Sequence, residues 1–216
     1  MEDLTDIVLS EDYELVWDVL LKGEVFETSD KDGWTPLHAA AVKDASFLVE
    51  PLLKAGCSLT SFNQMGWTPV HIAAGQGNVR FLKSLKDLSL LNVESINDFG
   101  STPLHIAATY GNVNIVKLLF DRDVDPNQRD NSRLTAMNYA VSYEDHPAMV
   151  ELLADSGTFI DDIDNELGAP LHSAVVGHHY GAAVALIALG ADTTRTTSEG
   201  LSFRGLLNSV GWAGIL

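Results

Sequence analysis

"GSTPLHIAA", residues 100–108, is the stretch on which the fold turns. Read alone, it sets a histidine beside a threonine among small residues, which suits an active-site loop or a structural device. The rest of the chain decides between the two. "GWTPLHAAA" begins at Gly33 and "GWTPVHIAA" at Gly66, and weaker copies start at Arg133 ("RLTAMNYAV") and Leu167 ("LGAPLHSAV"). The third residues of these copies, Thr35, Thr68, Thr102, Thr135 and Ala169, are spaced 33, 34, 33 and 34 apart. Self-similarity at a fixed period of this length marks an array of units, none of which can bury its apolar face alone.

Each copy is followed by a second apolar block: "LVEPLL" from Leu48, "FLKSL" from Phe81, "IVKLLF" from Ile115, "MVELLA" from Met149 and "VALIAL" from Val184. Short breaks such as "GQGN", "TYGN", "YEDHP" and "VGHH" separate the two blocks, and Gly56, Gly157 and Gly190 close three of the units. Two short helical patterns, a turn between them and a polar stretch after them make a helix–turn–helix–loop unit. Within it the threonine can cap the first helix, and the proline after it presets φ for the first turn.

These residues resemble the ankyrin repeat family. The match lies in the Thr-Pro-Leu-His helix start, the Gly-Asn or Gly-His turn, and helix endings such as "KAGCS", "DSGTF" and "LGADT". The resemblance implies an all-α solenoid of stacked helix–turn–helix units joined by β-hairpin-like loops. Five repeats are expected over residues 30–62, 63–96, 97–129, 130–163 and 164–195, with N-terminal capping helices in 1–29 and a partial unit in 196–216. In the N-terminal cap, Leu15, Val16, Val19 and Leu20 form the expected buried stripe. The C-terminal "LSFRGLLNSVGWAGIL" is apolar for a cap, so it either folds back on the stack or is covered.

The histidines then read as framework. His38, His71, His105 and His172 recur at one position of the unit. Stacked helices are offset by ~8–10 Å, so such residues form a ladder, whereas a metal needs ligands converging at ~2.0–2.1 Å. The resemblance implies that each histidine bonds the neighbouring loop. His178 and His179 fall in a turn. The acid-rich "DRDVDPNQRDNS" and "DDIDNELGAPLH" lack the glycine and closing glutamate of a calcium loop. No nucleophile elbow, phosphate-cradling loop or paired-histidine zinc motif occurs, and Cys57 takes a small packed position after Gly56, so neither an enzyme nor a cofactor is expected.

Net charge is −17 and unevenly spread. Residues 1–30 carry ten acids and one base, residues 31–133 ten of each, and residues 134–194 nine acids and no Lys or Arg. Binding to nucleic acid or to an anionic membrane needs cations, so both are disfavoured. The longest apolar run, Gly181 to Ala191, is too short to cross a bilayer, no signal peptide is seen, and the lone cysteine fits a reducing compartment. A cytoplasmic or nuclear monomer is expected.

A protein partner is the remaining expectation. Repeat stacks bind protein on a concave face built from loop tips and first helices. Aligning the units places Asp32, Met65, Phe99 and Ser132 at the loop tips; Trp34, Trp67, Ser101 and Leu134 beside the loop glycine; and Lys43, Gln76, Tyr110 and Tyr143 at the ends of the first helices. Met65, Trp67, Phe99, Tyr110, Tyr143, Trp34, Gln76 and Lys43 are therefore the candidate contacts, with Phe99 foremost. Aromatics are the usual anchors of interfaces. The alternative is an acidic inhibitor or regulatory subunit that masks a basic surface. By the same resemblance, Asn127 in "DVDPN" matches a loop asparagine that is hydroxylated in some members. Irregularity is expected at Pro51, which breaks a helical bond; in the fourth unit, which lacks the Pro and His and has a longer turn; and in "KDLSLLNVESIN" of the second.

Overall fold

The computed structural model describes residues 3–23, 29–87, 93–163 and 168–214. Among them lie thirteen helices and no strand. The chain divides into two compact units, Met1–Pro103 and Leu104–Leu216, the division falling inside the third Thr-Pro-Leu-His motif.

The first unit holds α1 (Leu4–Leu9), α2 (Tyr13–Leu21), α3 (Pro36–Val42), α4 (Ser46–Lys54), α5 (Pro69–Gln76) and α6 (Val79–Asp87). First helices pack in a row, α1 on α3 and α3 on α5, while α4 packs on α6 behind them. Close approach is possible because the first helices face each other with alanine, and Ala39, Ala40, Ala41, Ala73 and Ala74 are all fully buried. Leu37, Leu48, Leu52, Phe81, Leu82 and Leu85 fill the core. Each such side chain contributes about 1.5–3 kcal/mol of burial.

The second unit begins in α7 (Pro103–Thr109) and continues through α8 (Val113–Phe120), α9 (Ala136–Ser142), α10 (Pro147–Asp155), α11 (Pro170–Val176), α12 (Tyr180–Ala188) and α13 (Phe203–Ser209). Here α9 packs on α11 and α11 on α13, with α8, α10 and α12 forming the second row. The apolar C-terminal segment folds back: Phe203, Leu206 and Leu207 are buried, and Trp212 stands edge-on to His178 and Tyr180 at 6.0 and 5.5 Å.

The repeated motif closes each first helix and ties it forward. His38 Nδ1 accepts from Thr35 N–H at 3.1 Å, so the ring proton sits on Nε2, which donates to Trp67 O at 2.8 Å in the next loop. His71 repeats this with Thr68 N and Ser101 O, and His172 with Ala169 N and Arg195 O. His105 Nε2 donates to Leu134 O at 3.1 Å. One period ahead of His38, Thr5 Oγ1 reaches Trp34 O at 3.4 Å in the same place. In the fourth repeat Asn138 Oδ1 accepts from both Thr135 N and Oγ1 at 2.9 Å, which keeps the cap, but Asn138 Nδ2 makes no hydrogen bond among the described residues.

The expected irregularities take definite forms. Helix α4 runs on through Pro51. The turns between paired helices use a left-handed residue at Glu11, Asp44, Gly77, Gly111 and His178. The fourth replaces it with a longer turn whose Asp145 carboxylate accepts from Gly181 N–H and Ala182 N–H at 2.8 and 2.7 Å, capping α12 of the next repeat. The run-on of the second repeat includes residues 88–92, and "DDIDNELGAPLH" includes 164–167; both stretches lie outside the described residues.

Candidate partner-binding surface

Each inter-repeat loop is built around one short polar side chain. Asp30, Asn63, Asn97 and Asp130 each accept with Oδ1 from the backbone N–H groups two and four residues on, all at 2.8–3.1 Å. The chain reverses through a left-handed residue, Gly33, Gly66, Gly100 or Arg133, with φ between 66° and 80°. Arg133 is the one side chain forced into that backbone among these four, at a cost of about 1–2 kcal/mol relative to glycine.

In the first unit neighbouring tips are bonded to each other. Gln64 N–H donates to Asp32 O at 3.0 Å, Gln64 Nε2 to Lys31 O at 2.8 Å, and Asp98 N–H to Met65 O at 3.5 Å. The last bond sets Met65 beside the tip that carries Phe99. Both side chains face solvent, Met65 53% and Phe99 57% exposed. Phe62 and Ile96, which directly precede Asn63 and Asn97, are exposed as well. Sequence reasoning passed over this pair, although the same alignment column shows it.

The other sequence candidates of this unit stand differently. Trp34 and Trp67 are half-buried, each held by the loop asparagine or aspartate through its backbone N–H and leaning on His38 and His71 at ring distances of 5.7 and 6.4 Å. Lys43 is tied to Glu11 by an ion pair of 2.8 Å. Gln76 is exposed at the end of α5.

In the second unit Tyr110 and Tyr143 are exposed at the ends of α7 and α9. Tyr143 stacks on Tyr139 at 5.9 Å and 13°, and Tyr139 in turn stands edge-on to His105 at 5.4 Å and donates its hydroxyl to Asp130 Oδ2 at 2.7 Å. Tyr143 is thus held from beneath, and an aromatic held rigid loses little entropy when it binds. The loop tip here is polar, Asn131, Ser132 and Arg133, and Arg129 pairs with Asp162. Asn127 bridges to the next loop with both ends of its amide: Nδ2 donates to Gly157 O at 3.1 Å and Oδ1 accepts from Phe159 N–H at 2.8 Å. The acids of "DRDVDPNQRDNS" serve the loop itself, Asp125 accepting from Asn127 N–H and Asp130 from the groups above.

The histidine rungs donate through Nε2. Burial pushes both His38 and His105 below the ordinary imidazole range, partly offset for His38 by its bond to Trp67 O and for His105 by the Asp130 charge. What the surface offers is apolar and aromatic area on backbone that is locked from below.

A family model of ankyrin repeats matches the chain in three overlapping copies, over residues 4–89, 47–130 and 80–164. No curated protein matches it. Among solved structures 518 chains match. One is the ankyrin repeat domain of Bcl-3, a member of the IkappaB protein family, with a TM-score of 0.79 and 24% identity over 95% of this chain and 93% of that one. At that identity the likeness speaks for the fold.

Proposed function

The chain belongs to the ankyrin repeat family, and from that premise we propose that it is a non-catalytic module that holds a partner protein or peptide at its loop tips and first-helix ends. Ankyrin repeats generally mediate protein–protein contacts. The observation that carries the reading is the exposure of Met65 and Phe99 on adjacent tips. The framework does not require them, because the equivalent tips carry Asp32 and Ser132 with the same loop bonds. Trp67 and Trp34 line the same loops, Gln76 closes α5, and in the second unit Tyr110 and Tyr143 present their own aromatic edge.

Apolar anchors hold across ionic strength, whereas an acidic inhibitor covering a basic surface would release its partner in salt. The test is capture from native extract by the wild type and by a Met65→Ser/Phe99→Ser variant, at about 0.05 M and about 0.5 M salt. A protein retained by the wild type at both salts and lost by the variant, with thermal unfolding unchanged, is expected. Retention of every wild-type partner by the variant sinks the loop-tip reading, and release of all partners at high salt favours the inhibitor.

A further inference from the structure

The second helices turn one face outward, and α2 uses that face unlike the helices that follow it. Aligned on the inter-helix turn, Trp17 corresponds to Glu50, Lys83, Lys117 and Glu151, all exposed and all charged. Leu21 corresponds to Lys54, Asp121 and Asp155 in α4, α8 and α10, again exposed charges. In α12 the first of these positions holds only the smaller Val184. The solvent-facing rule for a repeat's outer helix, charged or small, is broken in α2.

Trp17 is 41% and Leu21 81% exposed, although each is four residues from the next apolar residue on the same side, Tyr13 and Trp17. Tyr13 is half-buried edge-on to Phe47 at 5.0 Å, which extends the apolar strip onto α4. Val16 is buried on the opposite side, with Leu15, Val19 and Leu20 half-buried around it, so the strip is surplus to the core. Beside the strip, one helical step round, run Glu14 and Asp18, both exposed. Lys22 at the end of α2 is the one cation in residues 3–23, and the nearby Lys43 is already paired with Glu11.

We infer that the outward face of α2 is a second docking surface, distinct from the loop tips, and that its occupant is a basic amphipathic helix of a partner protein. The chemistry follows from the two edges. Leucine-like side chains of the occupant cover Trp17, Leu21 and the Tyr13–Phe47 pair, while its Lys or Arg residues one step round meet Glu14 and Asp18. A net of −9 over residues 1–30 draws such a segment in and repels acidic ones and a second copy of this chain.

The test uses the full chain and a synthetic probe, a fluorescent peptide of about 14 residues built only of leucine and lysine in a helical period. The wild type binds it, and a version with glutamate for lysine does not bind. Trp17→Ser/Leu21→Ser weakens the lysine peptide by roughly thirtyfold, the scale of an aromatic anchor with its neighbour. Glu14→Gln/Asp18→Asn weakens it about tenfold and flattens its salt dependence. Met65→Ser/Phe99→Ser leaves it unchanged, which separates this face from the loop-tip reading. Removing the same charge from the second unit, Glu144→Gln/Glu151→Gln, also leaves it unchanged. All these side chains are exposed, so circular dichroism and thermal unfolding stay as in the wild type. Equal affinity in the Trp17/Leu21 variant, or an equal loss in the Glu144/Glu151 variant, overturns the proposal. So does a dimer in sedimentation that the Trp17/Leu21 variant abolishes, because it gives the face to a second copy.

Discussion

In the second repeat Thr68 and His71 close the start of α5, and His71 reaches onward to Ser101 O at 3.0 Å. In the fourth, Thr135 and Asn138 close the start of α9 with bonds of 2.9 Å, and the shorter Asn138 stops there. Both loops reverse through the same left-handed backbone, at Gly66 with φ 71° and at Arg133 with φ 66°. Cap and left-handed turn survive a change of residue in both places; the forward tie does not. The cap and turn are therefore what a repeat must have, and the tie is an added stabilisation that one repeat can forgo.

The largest test of that contrast is truncation of the rung itself. His71→Ala leaves Thr68 N–H buried without its acceptor and takes from Ser101 O one of two donors, the other being Asn97 N–H at 3.1 Å. It is expected to cost about 2–3 kcal/mol, against about 1–2 kcal/mol for Asn138→Ala, both read from urea unfolding. Equal losses would mean that the forward tie contributes nothing. Next comes the turn. Gly66→Ala forces a Cβ into the left-handed region and against the backbone and carboxylate of Asp98, for a loss of about 2 kcal/mol. Smaller and opposite in sign, Arg133→Gly relieves the same strain and raises stability by about 1 kcal/mol; no gain in melting temperature would show that Arg133 makes a compensating contact.

The gentlest test is pH. The folded-state values of His38 and His105 lie below the unfolded imidazole, so the unfolded chain binds the extra proton. Their contribution is complete above the unfolded value of about 6.5 and falls away as pH drops through the window below it. Melting temperature should therefore decline from neutrality toward pH 5. Copying the fourth repeat's rung with His38→Asn should shallow that decline, since asparagine does not titrate. A decline just as steep in the variant would place the acid sensitivity elsewhere.

The period and the caps were legible because they are local. Thr and His three residues apart act within one turn of helix, and Asn138, three residues after Thr135, keeps that cap. Of the stripe expected in α2 only Val16 is buried, with Leu15, Val19 and Leu20 half-buried beside it, and the outward Trp17 and Leu21 form a pattern that exposure reveals and spacing does not. What the sequence hid depends on neighbours a whole period away. Lys43 looked like a free contact and is paired with Glu11, from the preceding turn. Asp145 looked like part of an irregular turn and caps α12. Trp34 and Trp67, candidate contacts by alignment, are half-buried against His38 and His71, and their own carbonyls accept from Thr5 and His38 in the repeat before. Phe62 and Ile96 lie in a column that no motif singles out.

The rungs all point one way. Thr5, His38, His71, His105 and His172 are donors, and every acceptor is a carbonyl that comes later in the chain. One period after His172 stands Gly205, which has no side chain to give. The stack therefore has a grain. Trimming it from the front exposes only a carbonyl, which water can serve. Trimming it from the back strands a buried N–H that nothing replaces, so during synthesis each repeat must wait for its successor to emerge before its last buried proton finds a home.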